Sequence, residues 1–197
     1  EPPMAKKSTR NTRGRIVSAA WKLFYEQGYE DTTVEEIIEL SGTSKGSFYH
    51  YFDGKDALLS TLSSLFDEKY EELTGLLTPE MTAMEQLLFL NRELFHMIED
   101  SISLDLLARL YSTQLTTNGE KHLLDHNRIY YKLLRKIIAK GQAEGQLSSR
   151  SNVNEMVKLY ALCERALLYD WCLCAGEYAL TEYSAKVLPG FLSSFLP

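Results

Sequence analysis

The sequence predicts an all-α protein of about nine helices. Apolar residues recur at three- and four-residue intervals from about Asn11 to the end of the chain, as they do on the buried face of a helix. Strand-like alternation is absent, and the breaks between periodic segments carry Gly, Pro, Asp, Asn, Ser or Thr, which start and stop helices. The 197 residues, 45% of them hydrophobic, suffice for a substantial core.

The first two helices are short and have clear ends. A periodic segment over residues 12–27 predicts the first helix, and Gly28 follows it as a terminating glycine does. Thr33 with Glu36 three residues later forms a capping-box pattern, which predicts the start of a second short helix. An abrupt break follows that helix at Ser41-Gly42-Thr43.

Two further helix starts follow this break. Ser44 is expected to cap a third short helix that reaches about Tyr51. Asp53 is expected to cap a fourth helix that reaches about Leu77. The first three helices therefore form a small cluster, and the fourth leads into the rest of the chain.

Longer helices are predicted beyond Pro79, over residues 82–99, 104–115, 120–144, 152–176 and 181–195. Pro189 lies inside the last one and is expected to bend or split it. The helix over 152–176 is apolar around most of its circumference, so it needs cover on several sides. A central helix buried in a monomer would satisfy this, but the apolar last helix favours a second copy of the chain. The predicted dimer-interface residues are Leu162, Ala166, Tyr169, Leu173, Val187, Leu188, Phe191 and Phe195.

The charge distribution is uneven. A net charge of −6 argues against general affinity for nucleic acids. Residues 5–22, however, contain six Lys or Arg and no Asp or Glu. A basic end on an acidic body suggests contact with a polyanion, and the alternative is a solvated terminus.

The third predicted helix has two chemically different faces. On a helical wheel Phe48, Tyr51 and Phe52 share one side, and Lys45, Gly46, Tyr49 and His50 share the other. The aromatic side is expected to anchor the helix. The opposite side suits the second helix of a helix-turn-helix unit, which enters the major groove of DNA.

Each residue type on this outer face suits DNA. Lys45 can neutralise a phosphate, and Tyr49 and His50 can donate hydrogen bonds to phosphate oxygens. Gly46 would allow close approach of the helix backbone, although a glycine near a helix start is also tolerated without a function. The remaining candidates are Ser44 and Ser47 for bases or phosphates, and Lys55 for a phosphate.

The stretch "TTVEEIIELSGTSKGSFYHYFDGKDALL" resembles the DNA-binding signature of TetR-family (tetracycline-repressor-like) transcriptional regulators. The preceding "AAWKLFYEQGYEDTT" is similar to that family's first helix and its exit. The resemblance implies a flexible basic arm (1–10), a helix-turn-helix DNA-binding domain (11–54) and a C-terminal helical ligand-binding and dimerisation domain (55–197). At matching positions it implies DNA contacts by Thr33, Thr43, Ser44, Lys45, Gly46, Ser47, Tyr49, His50 and Lys55, to which the arm adds Lys6, Lys7 and Arg10.

The family resemblance also implies a mode of action. A homodimer would bind a near-palindromic double-stranded operator and repress transcription until a small-molecule effector enters the C-terminal domain. Aromatic and polar residues on the middle helices are candidates for that effector pocket. They are Phe89, Arg92, Phe95, His96, Tyr111, His122, His126, Tyr130, Tyr160 and Glu164.

Other functions have weaker support. His122 and His126 have a metal-compatible i, i+4 spacing, but two surface histidines are the simpler interpretation. The three cysteines cannot pair within one helix and are interpreted as core residues. Nucleotide, hydrolase and zinc-finger motifs are absent, so we expect no catalytic residue, metal or cofactor. No apolar run is long enough to span a membrane, which favours the cytoplasm. The alternatives that remain are a thiol- or metal-responsive regulator and a non-enzymatic helical interaction protein.

Overall fold

The computed structural model describes residues 5–116, 118 and 121–197, with side-chain positions from residue 12 onward. These residues form ten α-helices and no strand, so the all-α prediction is confirmed. The helices are α1 (Ala5–Gln27), α2 (Val34–Ser41), α3 (Lys45–Tyr51), α4 (Lys55–Leu59), α5 (Leu62–Thr74), α6 (Ala83–Ser101), α7 (Leu104–Thr116), α8 (Ile129–Ala143), α9 (Val153–Leu173) and α10 (Leu180–Leu192). Two 3-10 turns lie at His122–Leu124 and Ser193–Phe195.

The chain divides into two compact units, residues 1–62 and 63–197. The division follows Leu62, whereas the sequence predicts a boundary after Gly54. Helix α1 begins at Ala5, inside the segment 1–10 that is expected to form an arm. Residues 1–4, and the side chains of Lys6, Lys7 and Arg10, lie outside what the structure describes.

Local capping shapes the N-terminal unit as predicted. The Thr33 hydroxyl accepts from the Glu36 amide, and the Glu36 carboxylate accepts from the Thr33 amide at 2.7 Å, which completes the capping box. Ser44 caps α3 by accepting from the Ser47 amide at 3.1 Å. Side chains of α1, α2 and α3 then close a common core, which includes Ile16, Ala20, Phe24, Ile37 and Phe48.

The turn between α2 and α3 depends on Gly42. This residue has φ +60°, which is the left-handed conformation that ends many helices. Its amide donates to the Glu39 carbonyl. The Arg15 guanidinium on α1 donates to the Ser41 carbonyl at 2.6 Å and to the Gly42 carbonyl at 2.5 Å. Because these carbonyls are left over at the end of α2, Arg15 satisfies them and ties the turn to α1.

The predicted fourth helix is two helices. Helix α4 ends at Leu59 and α5 starts at Leu62, because hydroxyls between them compete for helix carbonyls. The Ser60 hydroxyl donates to the Ala57 carbonyl, and the Thr61 hydroxyl donates to the Leu58 carbonyl at 2.6 Å while accepting from the Trp21 indole at 2.8 Å. The expectation that Asp53 caps α4 is also wrong, since the cap position is Gly54.

Helix α8 starts later than predicted, at Ile129 rather than near residue 120. His122 lies in a 3-10 turn and His126 in a loop, so the two do not share a helix face. Asp125 turns the chain by accepting from the Asn127 amide at 2.8 Å. Within the described residues no group of three or more His, Cys, Asp or Glu is placed to hold a metal, and no helix is long and apolar enough to cross a membrane.

The two last helices bury one side and expose another. On α9, Leu162, Tyr169 and Leu173 are exposed, at 51%, 48% and 66%. Leu188 and Phe195 were predicted at a dimer interface, but each is 1% exposed within its own chain. Both side chains therefore pack within their own chain and are not available to a partner. At the C-terminal end the Ser148 amide donates to the Phe195 carbonyl at 2.8 Å. Helix α10 also runs through Pro189 without being split.

A polar network crosses the core of the C-terminal unit. Glu164 of α9 is 4% exposed and accepts from Asn91 Nδ2 of α6 at 2.9 Å and from the Tyr130 hydroxyl of α8 at 2.6 Å. Ser184 of α10 donates to Asn91 Oδ1 at 2.6 Å. Burial raises the pKa of Glu164 above its ordinary value of 4.5, although the hydrogen bonds from Tyr130 and Asn91 oppose the increase.

The raised pKa of Glu164 predicts a pH-dependent stability. Below pH 4.5 the carboxyl is protonated in both the folded and the unfolded chain, so burial carries no charge penalty. As pH rises through the folded pKa, ionisation destabilises the folded state. We expect Glu164→Gln to gain stability relative to the wild type as pH rises, until the difference levels off. Urea unfolding at stepwise increasing pH measures this, and exposed Glu68→Gln is the control. A difference that does not vary with pH would contradict the raised pKa.

Gly42 and Gly46 give a matched pair of stability variants. Gly42→Ala places a Cβ at positive φ and 3.1 Å from Arg15 Nη2, so we expect a loss of about 1–2 kcal/mol. Gly46→Ala lies in α3 with the nearest atom 3.9 Å away, so we expect a gain of up to about 1 kcal/mol. Chemical denaturation of both variants tests this, and equal effects would refute it.

Candidate DNA-binding surface and effector cavity

Helix α3 presents the two faces that the sequence predicts. Phe48 and Phe52 are buried, at 0% and 5% exposure, and Tyr51 is half-buried with its ring 4.8 Å from that of His50. The opposite face is exposed and consists of Lys45, Gly46, Tyr49 and His50. Among the described side chains Lys45 has no hydrogen-bond or ionic partner, so its charge is available to an external anion.

The hydroxyls beside this face hold the turn. The Ser44 and Ser47 oxygens lie 2.9 Å apart, and Thr43 Oγ1 lies 2.7 Å from Ser41 Oγ. A hydroxyl has one donor and two acceptor sites, so capping uses only part of its capacity. These residues therefore position α3 and keep some capacity for a phosphate or a base edge.

Two other predicted contacts have structural roles. The Lys55 ammonium donates to the Tyr29 carbonyl at 2.7 Å and to the Glu30 carbonyl at 3.3 Å, and it lies 4.3 Å from the centre of the Tyr29 ring. It thus fixes the loop between α1 and α2. Thr33 belongs to the capping box of α2, as described above.

The C-terminal unit contains a cavity of about 40 Å³. Of the predicted effector residues it brings together Tyr111, Tyr130 and Glu164. The other lining residues are Phe66, Tyr70, Leu94, Leu123, Arg128, Arg165 and Leu168. Sequence reasoning missed Phe66 and Tyr70, which lie one turn apart on α5; their i, i+4 spacing was a usable signal, but the segment was interpreted as a connecting helix.

Tyr70 is the unusual member of the cavity wall. It is 1% exposed, and its hydroxyl has no hydrogen-bond partner among the described residues. Burial raises the pKa of Tyr70, and the negative charge of Glu164 raises it further. The phenol is therefore neutral and has an unused donor and unused acceptor sites, a costly arrangement in a protein core.

A second concavity lies elsewhere in the same unit. The groove between α6 and α10 has a volume of about 570 Å³ and includes the predicted residues Phe89 and Arg92. The Arg92 guanidinium lies 5.4 Å from the centre of the Phe89 ring and 3.0 Å from a Glu93 carboxylate oxygen. The groove lacks a buried side chain with an unused polar atom among the described residues.

The remaining predicted pocket residues are not brought together. Phe95 and Tyr160 are fully buried in the core, and the Tyr160 hydroxyl donates to the Leu87 carbonyl at 2.8 Å. His96 is exposed and lies 3.3 Å from Asp100. His126 is exposed and stacks on Tyr131.

The cysteine environments disfavour thiol chemistry. Burial raises the pKa of Cys163 and of Cys172 to about 11 each. Partial desolvation raises the pKa of Cys174, and the neighbouring Asp170 carboxylate raises it further. Because the thiolate is the reactive form, none of the three is activated for oxidation.

Comparison with known proteins identifies the N-terminal unit. The family described as bacterial regulatory proteins, tetR family, matches residues 16–62. The transcriptional regulator TtgR of Pseudomonas putida is 34% identical over 68 residues, which are 34% of this chain and 32% of TtgR. QacR of Staphylococcus aureus is 36% identical over 62 residues, which are 32% of this chain and 33% of QacR. These matches span about a third of the length of the curated relatives.

Similarity to a solved structure extends along the chain. A TetR-family transcriptional repressor, FadR of Thermus thermophilus, solved in complex with lauroyl-CoA, has 26% sequence identity and a TM-score of 0.74, over 94% of this chain and 95% of that one. A TetR-family regulator of Pectobacterium atrosepticum, 17% identical with a TM-score of 0.76 over 98% of this chain and 97% of that one, shares the fold. Together with the capped helix-turn-helix, these matches show that residues 16–62 are a DNA-binding domain of the type found in the tetR family of bacterial regulatory proteins, and that the chain shares the fold of TetR-family regulators.

Proposed function

We propose that this protein is a transcriptional repressor that binds a near-palindromic operator as a homodimer and is released by a small molecule. The exposed face of α3 carries this proposal, because it combines an unpaired lysine with a phenol, an imidazole and a glycine on a rigid, capped helix. The names of its relatives support regulation: TtgR and QacR are HTH-type transcriptional regulators, and FadR is a transcriptional repressor.

DNA binding would use this face in the major groove. Lys45 neutralises a phosphate, and Tyr49 and His50 donate to phosphate oxygens, which fixes the register of the protein on the duplex. Gly46 lets the helix backbone approach closely, since no described atom lies near enough to its Cβ position to require a glycine there. Two such helices in a dimer would read half-sites one helical turn apart, roughly 34–36 Å.

Dimerisation would use the exposed side of α9. Leu162, Ala166, Tyr169 and Leu173 repeat at helical spacing along that side, and Phe191 of α10 is 36% exposed. A continuous apolar stripe of this kind is characteristic of a protein–protein interface. Of the last helix, Phe191 and the half-buried Val187 belong to the proposed interface, and Leu188 does not.

An effector can release the protein from DNA only if it binds more tightly to the conformation that cannot bind DNA than to the conformation that can. The coupling free energy between effector binding and DNA binding is typically about 1–3 kcal/mol. The cavity offers a physical basis, because Phe66 and Tyr70 on its wall belong to α5, the helix through which the chain passes from the first unit into the second. An occupant that displaces these rings would move α5, which we propose as the element that transmits the signal.

DNA binding can be tested with single substitutions in α3. Lys45→Ala should make the slope of the logarithm of the binding constant against the logarithm of the salt concentration less steep, by the contribution of about one phosphate contact per subunit. Gly46→Ala should weaken binding at unchanged or higher stability, because its Cβ faces the duplex. Fluorescence anisotropy on a duplex selected from a random library, at several salt concentrations, measures both. Lys132→Ala, an exposed lysine of α8 in the C-terminal unit, is the control. Equal binding by Lys45→Ala, Lys132→Ala and wild type, or no selected duplex, would refute the proposal.

The dimer can be tested by placing charge on the α9 stripe. Leu162→Glu should shift the protein towards monomer, because each subunit loses about 1.5–3 kcal/mol of apolar burial and buries a carboxylate. Leu76→Glu, on an exposed residue between α5 and α6, should leave the assembly unchanged. Sedimentation equilibrium distinguishes the two. A monomeric wild type, or a Leu162→Glu variant with the wild-type mass, would exclude this interface.

A further inference from the structure

The cavity of the C-terminal unit contains a carboxylate that forms no ion pair with any described residue. Glu164 is hydrogen-bonded by Asn91 and Tyr130, both of them neutral. None of the ion pairs among the described residues includes it. A buried carboxylate without a counter-charge is destabilising, so this environment favours the arrival of a cation.

The two arginines at the cavity are occupied elsewhere. Arg128 makes a two-point contact with Asp67, at 3.0 and 3.2 Å, and also donates to the Ser63 carbonyl. Arg165 donates to the Tyr131 hydroxyl at 3.2 Å and is only partly buried. Neither forms an ion pair with Glu164, and the charge of Arg128 is already balanced by Asp67. The positive charge of Arg165 acts on the Glu164 carboxyl without a direct contact and lowers its pKa less than burial raises it.

Aromatic rings surround the same space. Phe66, Tyr70, Tyr111 and Tyr130 line it, and the rings of Tyr70 and Tyr130 lie 5.0 Å apart. The faces of such rings attract cations, most strongly where water is excluded. The Tyr70 hydroxyl, which is buried and without a partner in the described structure, supplies an unused hydrogen-bond acceptor at the cavity wall.

From these three observations we infer that the cavity binds the ammonium group of a small organic amine, and that such an amine is the effector. The ammonium would pair with Glu164, donate one N–H to Tyr70 and rest against the tyrosine rings. The first part of the inference stands on the cavity alone, and the second rests on the proposed function. A carboxylate ligand fits less well, because it would face Glu164 at close range.

The size of the cavity restricts the ligand further. At about 40 Å³ the cavity is small, which favours a compact primary ammonium group over a bulky quaternary one. The rest of the ligand would extend towards the partly exposed lining residues Tyr111 and Leu123. The competing occupant is a single water that bridges Tyr70 and Glu164.

The test compares three probes of similar shape and different charge: butylammonium, butanol and valerate. Titrations followed by NMR chemical shifts measure binding to the full chain. We expect butylammonium to bind the wild type at least tenfold more tightly than either other probe. Equal or tighter binding of valerate would overturn the cationic assignment. Absence of binding by all three probes would overturn it too, and would leave water as the occupant.

Variants locate the binding. Glu164→Gln should weaken butylammonium binding at least tenfold, and Tyr70→Phe should weaken it several-fold while removing only an unsatisfied hydroxyl. Glu68→Gln, on an exposed residue of α5, should bind like the wild type. Circular dichroism confirms folding of each variant, and Tyr70→Phe keeps the test decisive if Glu164→Gln does not fold. Unchanged affinity in folded variants would place the probe elsewhere and refute the inference.

The effector role needs a separate measurement. Butylammonium should release the selected DNA duplex from the wild type and not from Tyr70→Phe at the same concentration. Binding of the probe without release overturns the effector role and leaves the amine site. A protein that binds DNA but not the probe overturns the amine site and leaves the repressor. A protein that binds the probe but no DNA refutes the proposed function alone.

Discussion

One buried carboxylate constrains the C-terminal unit. Glu164 on α9 needs donors from α6 and α8, and Asn91 in turn needs the Ser184 hydroxyl of α10. Apolar contacts alone tolerate small rotations of packed helices, whereas hydrogen bonds of 2.6 to 2.9 Å do not. The network therefore selects one arrangement of four helices, at the energetic cost of burying an ionisable group. The same carboxylate also lines the adjoining cavity and is the acidic group in its wall.

The N-terminal unit is organised differently, by short-range caps. Thr33, Gly42 and Ser44 each satisfy backbone groups within four residues of themselves, and among the described side chains only Arg15 reaches the turn from a distant part of the chain. Such contacts form without help from the rest of the fold. The caps of α2 and α3 are thus encoded within residues 33–52, while the common core with α1 holds α3 in place, and the family match accordingly extends over residues 16–62.

The same distinction explains what could be predicted from the sequence. The caps at Thr33 and Ser44 were predicted because their partners lie three residues away. The start of α8 was not, because it depends on Arg128 binding Asp67, which is 61 residues distant. The break before α5 also involves a distant residue, since the Trp21 indole donates to the Thr61 hydroxyl that competes for a helix carbonyl. In the cavity, Glu164 and Tyr130 were predicted from residue type, but no local pattern shows that Tyr70 faces them. Periodicity also cannot tell which apolar side of α10 faces its own chain, so Leu188 was misplaced.

The two tryptophans have a consequence for spectroscopy. Trp21 lies in the N-terminal unit and donates to Thr61, and Trp171 lies in the C-terminal unit and donates to the Tyr178 carbonyl at 2.9 Å. Since these are the two tryptophans of the sequence, each unit contains one tryptophan, whose fluorescence can be excited selectively over that of the tyrosines. A chain that retains either indole alone reports the emission of a single unit. The loosening of one unit by heat, denaturant or a bound compound can therefore be observed separately from that of the other, without an added dye.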